Sequence, residues 1–151
     1  MSYDSRPDTW EHIDEVRRRL RQITIDLERR ADDHDKSKLT SPEVEIFDEF
    51  TPKLKATTYD SPEYREFLVG MGEGLQHHYA VNDHHPEHFL NGIGDMDLLQ
   101  VIEMLCDWKA ATMRHDDGDL FNSIQANAGR FGYGDEMRHL LLNTARNLGW
   151  I

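Results

Sequence analysis

The chain has few of the features on which secreted and membrane proteins depend. Its 151 residues include one cysteine, Cys106, so no disulfide can form within the chain. No apolar run approaches the roughly 18 residues of a transmembrane helix, and no apolar signal segment follows the opening Met-Ser-Tyr-Asp. We therefore expect a cytoplasmic protein in which Cys106, within an apolar run, belongs to the core.

Basic side chains are also scarce. Lys and Arg number 17 against 29 Asp and Glu, and the formal net charge is -12. Because phosphate contacts supply most non-specific affinity for nucleic acid, this charge argues against a duplex nucleic acid or an anionic membrane as partner. A small phosphorylated substrate is compatible with it, since a metal ion and one or two basic side chains reverse the potential locally.

Strand patterns, internal repeats and low-complexity tracts are absent from the sequence, and the apolar periodicity is helical almost throughout. Residues 1–151 are long enough to form one domain with its own core. We predict an all-α single domain, a compact bundle of six to seven helices. The first helix, capped by Asp8 or Thr9, carries an apolar stripe that we expect to be buried: Trp10, Ile13, Val16, Leu20, Ile23 and Leu27.

Start and stop signals predict the next two helices. Ser-Pro-Glu at residues 41–43 opens a short helix that Thr51-Pro52 ends. Ser-Pro-Glu at residues 61–63 opens a longer helix to about Tyr79. Its glycines, between residues 70 and 74, either allow a close helix approach or loosen the turn.

Further signals predict the C-terminal half. A short element begins at His85-Pro86-Glu87, and Asp95 is expected to cap a long helix to about His115. Two more helices are predicted over residues 119–130 and 135–148, and Trp150-Ile151 packs either on the bundle or on a neighbouring subunit. This last region carries no functional motif, and its expected packing residues are Phe121, Ile124, Phe131, Met137, Leu140, Leu141, Leu148 and a structural His139.

His34 and Asp35 follow the first helix directly and form a His-Asp pair. An imidazole and a carboxylate converge on one ion where the backbone turns, and this pair suits Mn, Fe, Co, Zn or Mg. His12 lies upstream at the edge of the apolar stripe. Each signal has an ordinary alternative: His12 as a hydrogen-bonded histidine at the core edge, and Asp32, Asp33 and Asp35 as an exposed acidic turn.

Asp107 lies in a helix that is apolar nearly all round, and we expect that helix to be central and buried. A buried carboxylate costs several kcal/mol unless a cation or strong donors compensate it. The compensating partner is either a metal ion or a salt bridge to an arginine or to Lys109.

Residues 77–88 contain five of the nine histidines. His78 lies on a predicted helix, and the turn at Pro86 presents His84 and His85. The segment is interpreted as a source of metal ligands, with a solvated histidine-rich turn as the alternative. The residues leave open which of the five are ligands: His77, His78, His84, His85 and His88.

The order of these residues, over about residues 10–115, resembles the HD-domain superfamily of metal-dependent phosphohydrolases. His34-Asp35-Lys36-Ser37-Lys38 is similar to the His-Asp-x-x-Lys form common in that family. His84-His85-Pro86-Glu87 is similar to the histidine pairs of its binuclear members, and residues 82–88 look like a small uncharacterised group of HD-like phage and bacterial proteins. His12 and His34 are closer together than in many members.

The resemblance implies a phosphohydrolase that binds one or two divalent ions and acts on a nucleotide or another small phosphate ester. It also implies that Lys38 lies near the substrate phosphate, although Lys38 is equally interpretable as an exposed turn lysine. We further hypothesise that Lys38 and Arg114 neutralise phosphate charge and that Glu87 orients a ligand imidazole. The implied ligands of a first ion are His12, His34, Asp35 and Asp107, whereas His78, His84 and His85 bind a second ion or provide a general acid–base.

Two other classes stay open. The first alternative is a catalytically silent helical module that binds a partner or a regulatory ligand and keeps metal only for stability. The second alternative is a di-iron oxygenase, since an HD-like scaffold can also bind two iron ions. Turnover and open coordination positions distinguish these classes, and a homodimer is compatible with each of them.

Overall fold

The computed structural model describes residues 3–58, 61–114 and 118–151. Within these ranges it contains no strand, which confirms the predicted all-α class. No described helix is both long enough and apolar enough to cross a membrane. The helices are α1 (Arg6–Asp33), α2 (Glu43–Lys55), α3 (Pro62–Gly70), α4 (Gly72–Val81), α5 (Leu98–Thr112), α6 (Leu120–Phe131) and α7 (Asp135–Asn147), with short 3-10 turns at Lys36–Leu39, Pro86–His88 and Gly92–Asp95.

The chain divides into two compact units, residues 1–34 and 35–151. The first unit is built on α1, which begins earlier than the predicted caps at Asp8 and Thr9. Ser5 occupies the N-cap position and Pro7 lies in the first turn. Proline is favourable there because the first N–H groups of a helix have no intrahelical partner.

The apolar stripe of α1 is not buried, so that expectation is wrong. α1 has no buried residue at all. Trp10 is 59% exposed and Leu20 is 57% exposed. The prediction of a helix here is correct. Apolar periodicity shows only that one face of a helix is apolar, and it does not show whether another part of the protein covers that face.

In the second unit, α2 packs against both α3 and α4. Two glycines allow this packing. A Cβ atom at Gly70 would lie 2.8 Å from the ring of Phe50, and one at Gly74 would lie 2.9 Å from the side chain of Ile46. These distances are shorter than van der Waals contact, so the structure confirms a close helix approach at these glycines.

Three predicted helix boundaries are wrong. α2 continues through Pro52 to Lys55, because a proline near a helix end removes one N–H without preventing a last turn. The helix predicted from Ser61 is divided at Met71 into α3 and α4. α5 is capped by Asp97 and not by Asp95, because Asp97 forms a capping box with Gln100. The predicted end of α5 near His115 lies outside the described residues.

α5, α6 and α7 enclose the main core of the second unit. Trp150 packs on this core, and its carbonyl accepts a hydrogen bond from Nζ of Lys109 at 3.2 Å. The C-terminus therefore packs on its own bundle. The buried core residues are Ile93, Val101, Met104, Leu105, Leu120, Ile124, Leu141, Leu142 and Ala145.

Several residues expected to pack are instead exposed. Cys106 is exposed because it lies on the opposite side of α5 from the buried Val101, Met104 and Leu105. The same reasoning applies on α7, where Leu141 and Leu142 occupy the core side. The other exposed residues that were expected to pack are Phe121, His139, Leu140 and Leu148.

The core of the second unit depends on Ile124, which is fully buried. We expect Ile124→Ala to lower the free energy of unfolding by about 2–5 kcal/mol, since it removes buried methyl groups and leaves a cavity. Urea denaturation followed by circular dichroism measures this loss. Leu90→Ala is the control, because Leu90 is 97% exposed and surface substitutions stay within about 0.5 kcal/mol. Equal losses in the two variants would contradict the assigned core.

Candidate metal centre

Asp35 opens the second unit in a turn that orients its carboxylate. Its backbone has φ 56° and ψ 13°, in the left-handed region that Asp adopts more readily than most side chains. The 3-10 turn that follows is closed by a hydrogen bond from the Lys38 N–H to the Asp35 carbonyl at 3.0 Å. Nζ of Lys38 pairs with Oδ2 of Asp35 at 2.5 Å. The other oxygen, Oδ1, faces a group of histidines.

Three imidazoles converge on this oxygen. Nε2 of His78, on α4, lies 3.3 Å from Oδ1 of Asp35, and Nε2 of His84 lies 3.5 Å from it. Nε2 of His85 lies 2.9 Å from Nε2 of His78. Ligand atoms about 2.1 Å from a common ion are about 3.0–3.4 Å apart at octahedral to tetrahedral angles. The spacing of these atoms is therefore that of a coordination shell, and the four side chains form a group that can hold a metal ion.

A carboxylate orients each of two imidazoles from the side opposite Asp35. Oε2 of Glu43 lies 2.9 Å from Nδ1 of His78, and Oε1 of Glu103 lies 3.1 Å from Nδ1 of His84. A carboxylate on Nδ1 favours the tautomer that carries its proton there, which leaves the Nε2 lone pair available. Both lone pairs then face Asp35. This carboxylate–histidine arrangement is common behind metal-ligating histidines.

Glu43 is completely buried, so its carboxylate needs several donors. Oε1 faces Nδ1 of His77 at 2.7 Å, and Oε2 accepts from Oγ of Ser37 at 3.0 Å. Ser37 in turn accepts from Nδ2 of Asn82 at 2.8 Å. Burial acts to raise the pKa of Glu43, but the hydrogen bonds from His77, Ser37 and His78 outweigh it and hold that pKa below its usual value. Glu43 is thus a carboxylate at neutral pH.

The loop that carries His84 and His85 is attached on both sides. Nε2 of Gln100, on α5, donates to Oδ2 of Asp83 at 2.8 Å. Nδ1 of His88 contacts the carbonyl of Tyr79 at 2.8 Å. These contacts join the loop to α5 and to α4, so the two histidines are held by more than their own short segment.

Burial favours the neutral form of two of the imidazoles, His78 and His85. It is the largest cause that lowers the pKa of His85 to about 3, and the neighbouring His84 and His78 lower it further. Burial also lowers the pKa of His78, with the positive charge of Lys38 as the next cause. A neutral imidazole has the lone pair that a metal requires. Neither ring has to lose a proton at pH 7 before it can act as a ligand.

A cavity of about 390 Å³ lies beside the centre, with His85 and Asp107 in its wall. An oxygen of Asp107 is within 4.8 Å of an oxygen of Asp35. Tyr79 also lines the cavity, and burial raises the pKa of its phenol, which stays protonated at neutral pH. The lining also includes residues of α6 and the stacked rings of Trp108 and Phe131, which are inclined by 7°. The volume suits a small molecule.

The structure brings together four of the seven predicted ligands, His78, His84, His85 and Asp35, and places Asp107 beside them. His12 is exposed on α1, and His34 occupies the C-cap of that helix. Both belong to the first unit, and their role as ligands stays a prediction.

The three residues predicted to assist catalysis have different surroundings. Lys38 is paired with Asp35 at the centre. Glu87 lines the cavity, where it accepts from Arg130 at 2.6 Å, whereas the carboxylates that contact the ligand imidazoles are Glu43 and Glu103. Arg114 is exposed just beyond α5, and its role stays a prediction.

Glu43 and Glu103 were missed in the sequence. Glu43 was interpreted only as the acidic residue of a helix start, although it is fully buried. Glu103 lies one turn before Asp107 on α5, so the argument about a carboxylate in a mainly apolar helix applies to it equally. The spacing of four residues between Glu103 and Asp107 could therefore have been used to predict that both carboxylates lie on the same side of α5.

The described part of the chain is all-helical and contains a histidine cluster in which carboxylates contact two of the imidazoles. The chain belongs to a family of unknown function, DUF5662, whose model matches residues 1–148. No curated protein and no solved structure matches the chain.

The tautomers of the two supported imidazoles are directly measurable. In metal-free protein we expect His78 and His84 to carry their proton on Nδ1, because Glu43 and Glu103 accept there. Long-range ¹H–¹⁵N NMR correlation distinguishes the two ring nitrogens. The exposed His139 is the internal reference, and Nε2–H tautomers at His78 and His84 would contradict the assigned hydrogen bonds.

Proposed function

We propose that this protein is a metal-dependent phosphohydrolase that acts on a nucleotide or another small phosphate ester. The observation that carries the proposal is the convergence of three imidazole Nε2 atoms and Oδ1 of Asp35, beside a cavity with Asp107 in its wall. The resemblance of His34-Asp35-Lys36-Ser37-Lys38 to the HD-domain form supports the same reaction class.

The ligand set favours a particular group of ions. His78, His84 and His85 offer three nitrogens, and Asp35 offers one oxygen. Imidazole suits Zn, Fe, Co and Mn, whereas Mg prefers an all-oxygen shell. The proposed cofactor is therefore one transition-metal ion at this site, with Asp107 available to a second ion on the cavity side.

His78, His84, His85 and Asp35 would hold the ion, and when bound it would supply an activated water and withdraw charge from a phosphoryl oxygen. Hydrolysis forms a bond from the water oxygen to phosphorus and breaks the ester P–O bond, and the leaving alkoxide takes up a proton from solvent and departs as the alcohol. With a single ion bound, Asp107 in the cavity wall is the base that accepts the proton of the water; with a second ion it is a ligand instead. Tyr79 remains protonated, so its phenol is a hydrogen-bond donor for a substrate oxygen in the same cavity.

Charge compensation for the phosphate comes from a small number of cations. Lys38 lies at the centre and is partly buried, with 28% of its side chain exposed. Arg130 lines the cavity and pairs with Glu87. The chain has a net charge of -12, which repels an anionic substrate. The positive charges of these side chains and of the ion offset that repulsion locally.

Metal affinity tests the centre without any assumption about substrate. Isothermal titration of metal-stripped protein with Zn²⁺ or Mn²⁺ should show one or two ions per chain, and elemental analysis should find them after dialysis. We expect His84→Gln to remove tight binding, because it deletes one of the four ligands. Glu103→Gln should weaken binding by about 10–100-fold, as loss of a supporting hydrogen bond commonly does.

The matched control for these variants is His139→Gln, since His139 is exposed on α7. It should bind metal like the unsubstituted protein. Unchanged affinity in His84→Gln, or no metal binding after supplementation with Mn, Co, Fe or Zn, would show that the histidine cluster is not a metal centre.

Turnover tests the reaction class. Metal-loaded protein should release inorganic phosphate from nucleoside mono- or triphosphates in a colorimetric screen. Asp107→Ala should abolish turnover, and it should also remove metal binding if Asp107 is a direct ligand. Glu45→Ala is the control, because Glu45 is an exposed carboxylate on α2. A fully active Asp107→Ala protein would exclude the assigned role.

The two rival classes have distinct outcomes in the same screen. Metal binding without phosphate release from any substrate would contradict the phosphohydrolase and favour a silent module. Metal-dependent oxygen consumption together with a visible iron spectrum would favour an oxygenase.

A further inference from the structure

The cavity beside the metal centre extends along α6 from one end of that helix to the other. Arg130, in the last turn, lies near the centre because it pairs with Glu87, two residues after His85. Asp119, at the N-cap, also lines the cavity. Arg130 is eleven residues after Asp119, which corresponds to a rise of about 16 Å along the helix. The cavity therefore has a metal end and a far end.

The side of α6 that lines the cavity is polar along its length. The lining residues recur at steps of three and four, and between Asp119 and Arg130 they are two asparagines, a serine and an alanine: Asn122, Ser123, Ala126 and Asn127. The apolar Leu120 and Ile124 lie on another side of α6, in the core. α6 therefore presents to the cavity side chains that both donate and accept hydrogen bonds.

α5 contributes an aromatic surface to the same cavity. Trp108 follows Asp107 directly and stacks on Phe131, with 6.2 Å between the ring centroids. Ala111 and Thr112, about one turn further along α5, also line the cavity. An aromatic ring and small side chains leave room for the carbon skeleton of an organic group, while a few polar side chains fix its orientation.

Positive charge in the cavity is confined to its metal end. Arg130 is the only Lys or Arg among the described residues that line the cavity, and it pairs with Glu87 at 2.6 Å. Lys38 lies at the centre, where it pairs with Asp35. Asp119 places a carboxylate at the far end. One phosphate at the metal end has these cations and the ion near it, whereas each further phosphate adds negative charge for which the described lining offers no further cation.

From this lining we infer that the substrate is the monophosphate ester of an uncharged alcohol that bears several hydroxyl groups. The phosphate lies at the metal end, and the hydroxyl groups exchange hydrogen bonds with Asn122, Ser123 and Asn127 along α6. Hydrolysis consumes one water and releases the alcohol and inorganic phosphate. A pentose phosphate and a nucleoside monophosphate share this chemistry, whereas a nucleoside triphosphate does not. The inference rests on the proposed function and narrows its substrate.

The first experiment compares four phosphate esters as substrates of the metal-loaded full chain, with all products separated by chromatography. The esters are ribose 5-phosphate, uridine 5′-monophosphate, uridine 5′-triphosphate and pentyl phosphate, which matches ribose in carbon number but lacks its hydroxyl groups. We expect kcat/KM for the two hydroxylated monophosphates to exceed that for the triphosphate by about tenfold or more, because like charges close together are strongly unfavourable. Pentyl phosphate should be the poorest monophosphate, because it leaves the polar groups of α6 without partners.

The outcomes separate this inference from the proposed function. Equal kcat/KM for the triphosphate and the monophosphates, or for pentyl phosphate and ribose 5-phosphate, would leave a phosphohydrolase but overturn the inferred substrate. No hydrolysis of any of the four esters would overturn the proposed function and the inference with it. Equal kcat/KM for ribose 5-phosphate and uridine 5′-monophosphate would support recognition of the sugar alone, and a higher value for the nucleotide would support recognition of the base as well.

Asn127→Ala tests the hydrogen bonds along α6. Asn127 is partly buried in the lining, and its loss should lower kcat/KM for ribose 5-phosphate relative to pentyl phosphate by about 2–10-fold, the usual effect of one hydrogen bond. The matched control is Asn147→Ala, because Asn147 is exposed at the end of α7 and outside the cavity. Circular dichroism verifies that both variants are folded. The same ratio of kcat/KM values in Asn127→Ala, Asn122→Ala and the control would overturn the inferred contacts with hydroxyl groups.

Discussion

Two hydrogen bonds between carboxylates and imidazoles, Glu43 to His78 and Glu103 to His84, set the geometry on which the centre depends. An imidazole can rotate and can carry its proton on either nitrogen, so a histidine near a carboxylate is not by itself a ligand site. A carboxylate on Nδ1 removes both freedoms. It holds the ring plane and directs the Nε2 lone pair toward Asp35, and the same contact on two rings makes the lone pairs converge.

The helix packing is what makes the first of these contacts available. Glu43 opens α2 and His78 lies on α4, so their contact requires the two helices to approach closely. A Cβ atom at Gly74 would lie 2.9 Å from Ile46 of α2, which shows how little space separates the helices. The glycines that weaken α3 and α4 as isolated helices therefore also allow a buried carboxylate to reach the imidazole. Ser37 and Asn82 complete the shell of hydrogen bonds around it.

α5 connects the centre to the core of the second unit. Val101, Met104 and Leu105 pack toward α6 and α7, whereas Glu103 and Asp107 face the histidines and the cavity. Because a helix repeats every 3.6 residues, one element presents an apolar side to the core and a carboxylate side to the centre. The position of both carboxylates thus depends on the same packing that stabilises the fold.

The sequence by itself determined the features that depend on near neighbours in the chain. Apolar periodicity predicted helices and no strands, and Ser61 was correctly identified as the cap of α3. The density of histidines drew attention to residues 77–88, the segment that holds three of the clustered side chains. Tertiary structure alone decided the contact of Glu43 with His78 across 35 residues, the exposure of Cys106 and of the α1 stripe, and the placement of Asp35 with the histidines. The physical reason is that propensity and capping act over a few residues, whereas burial and pairing depend on which distant side chains the packing brings together.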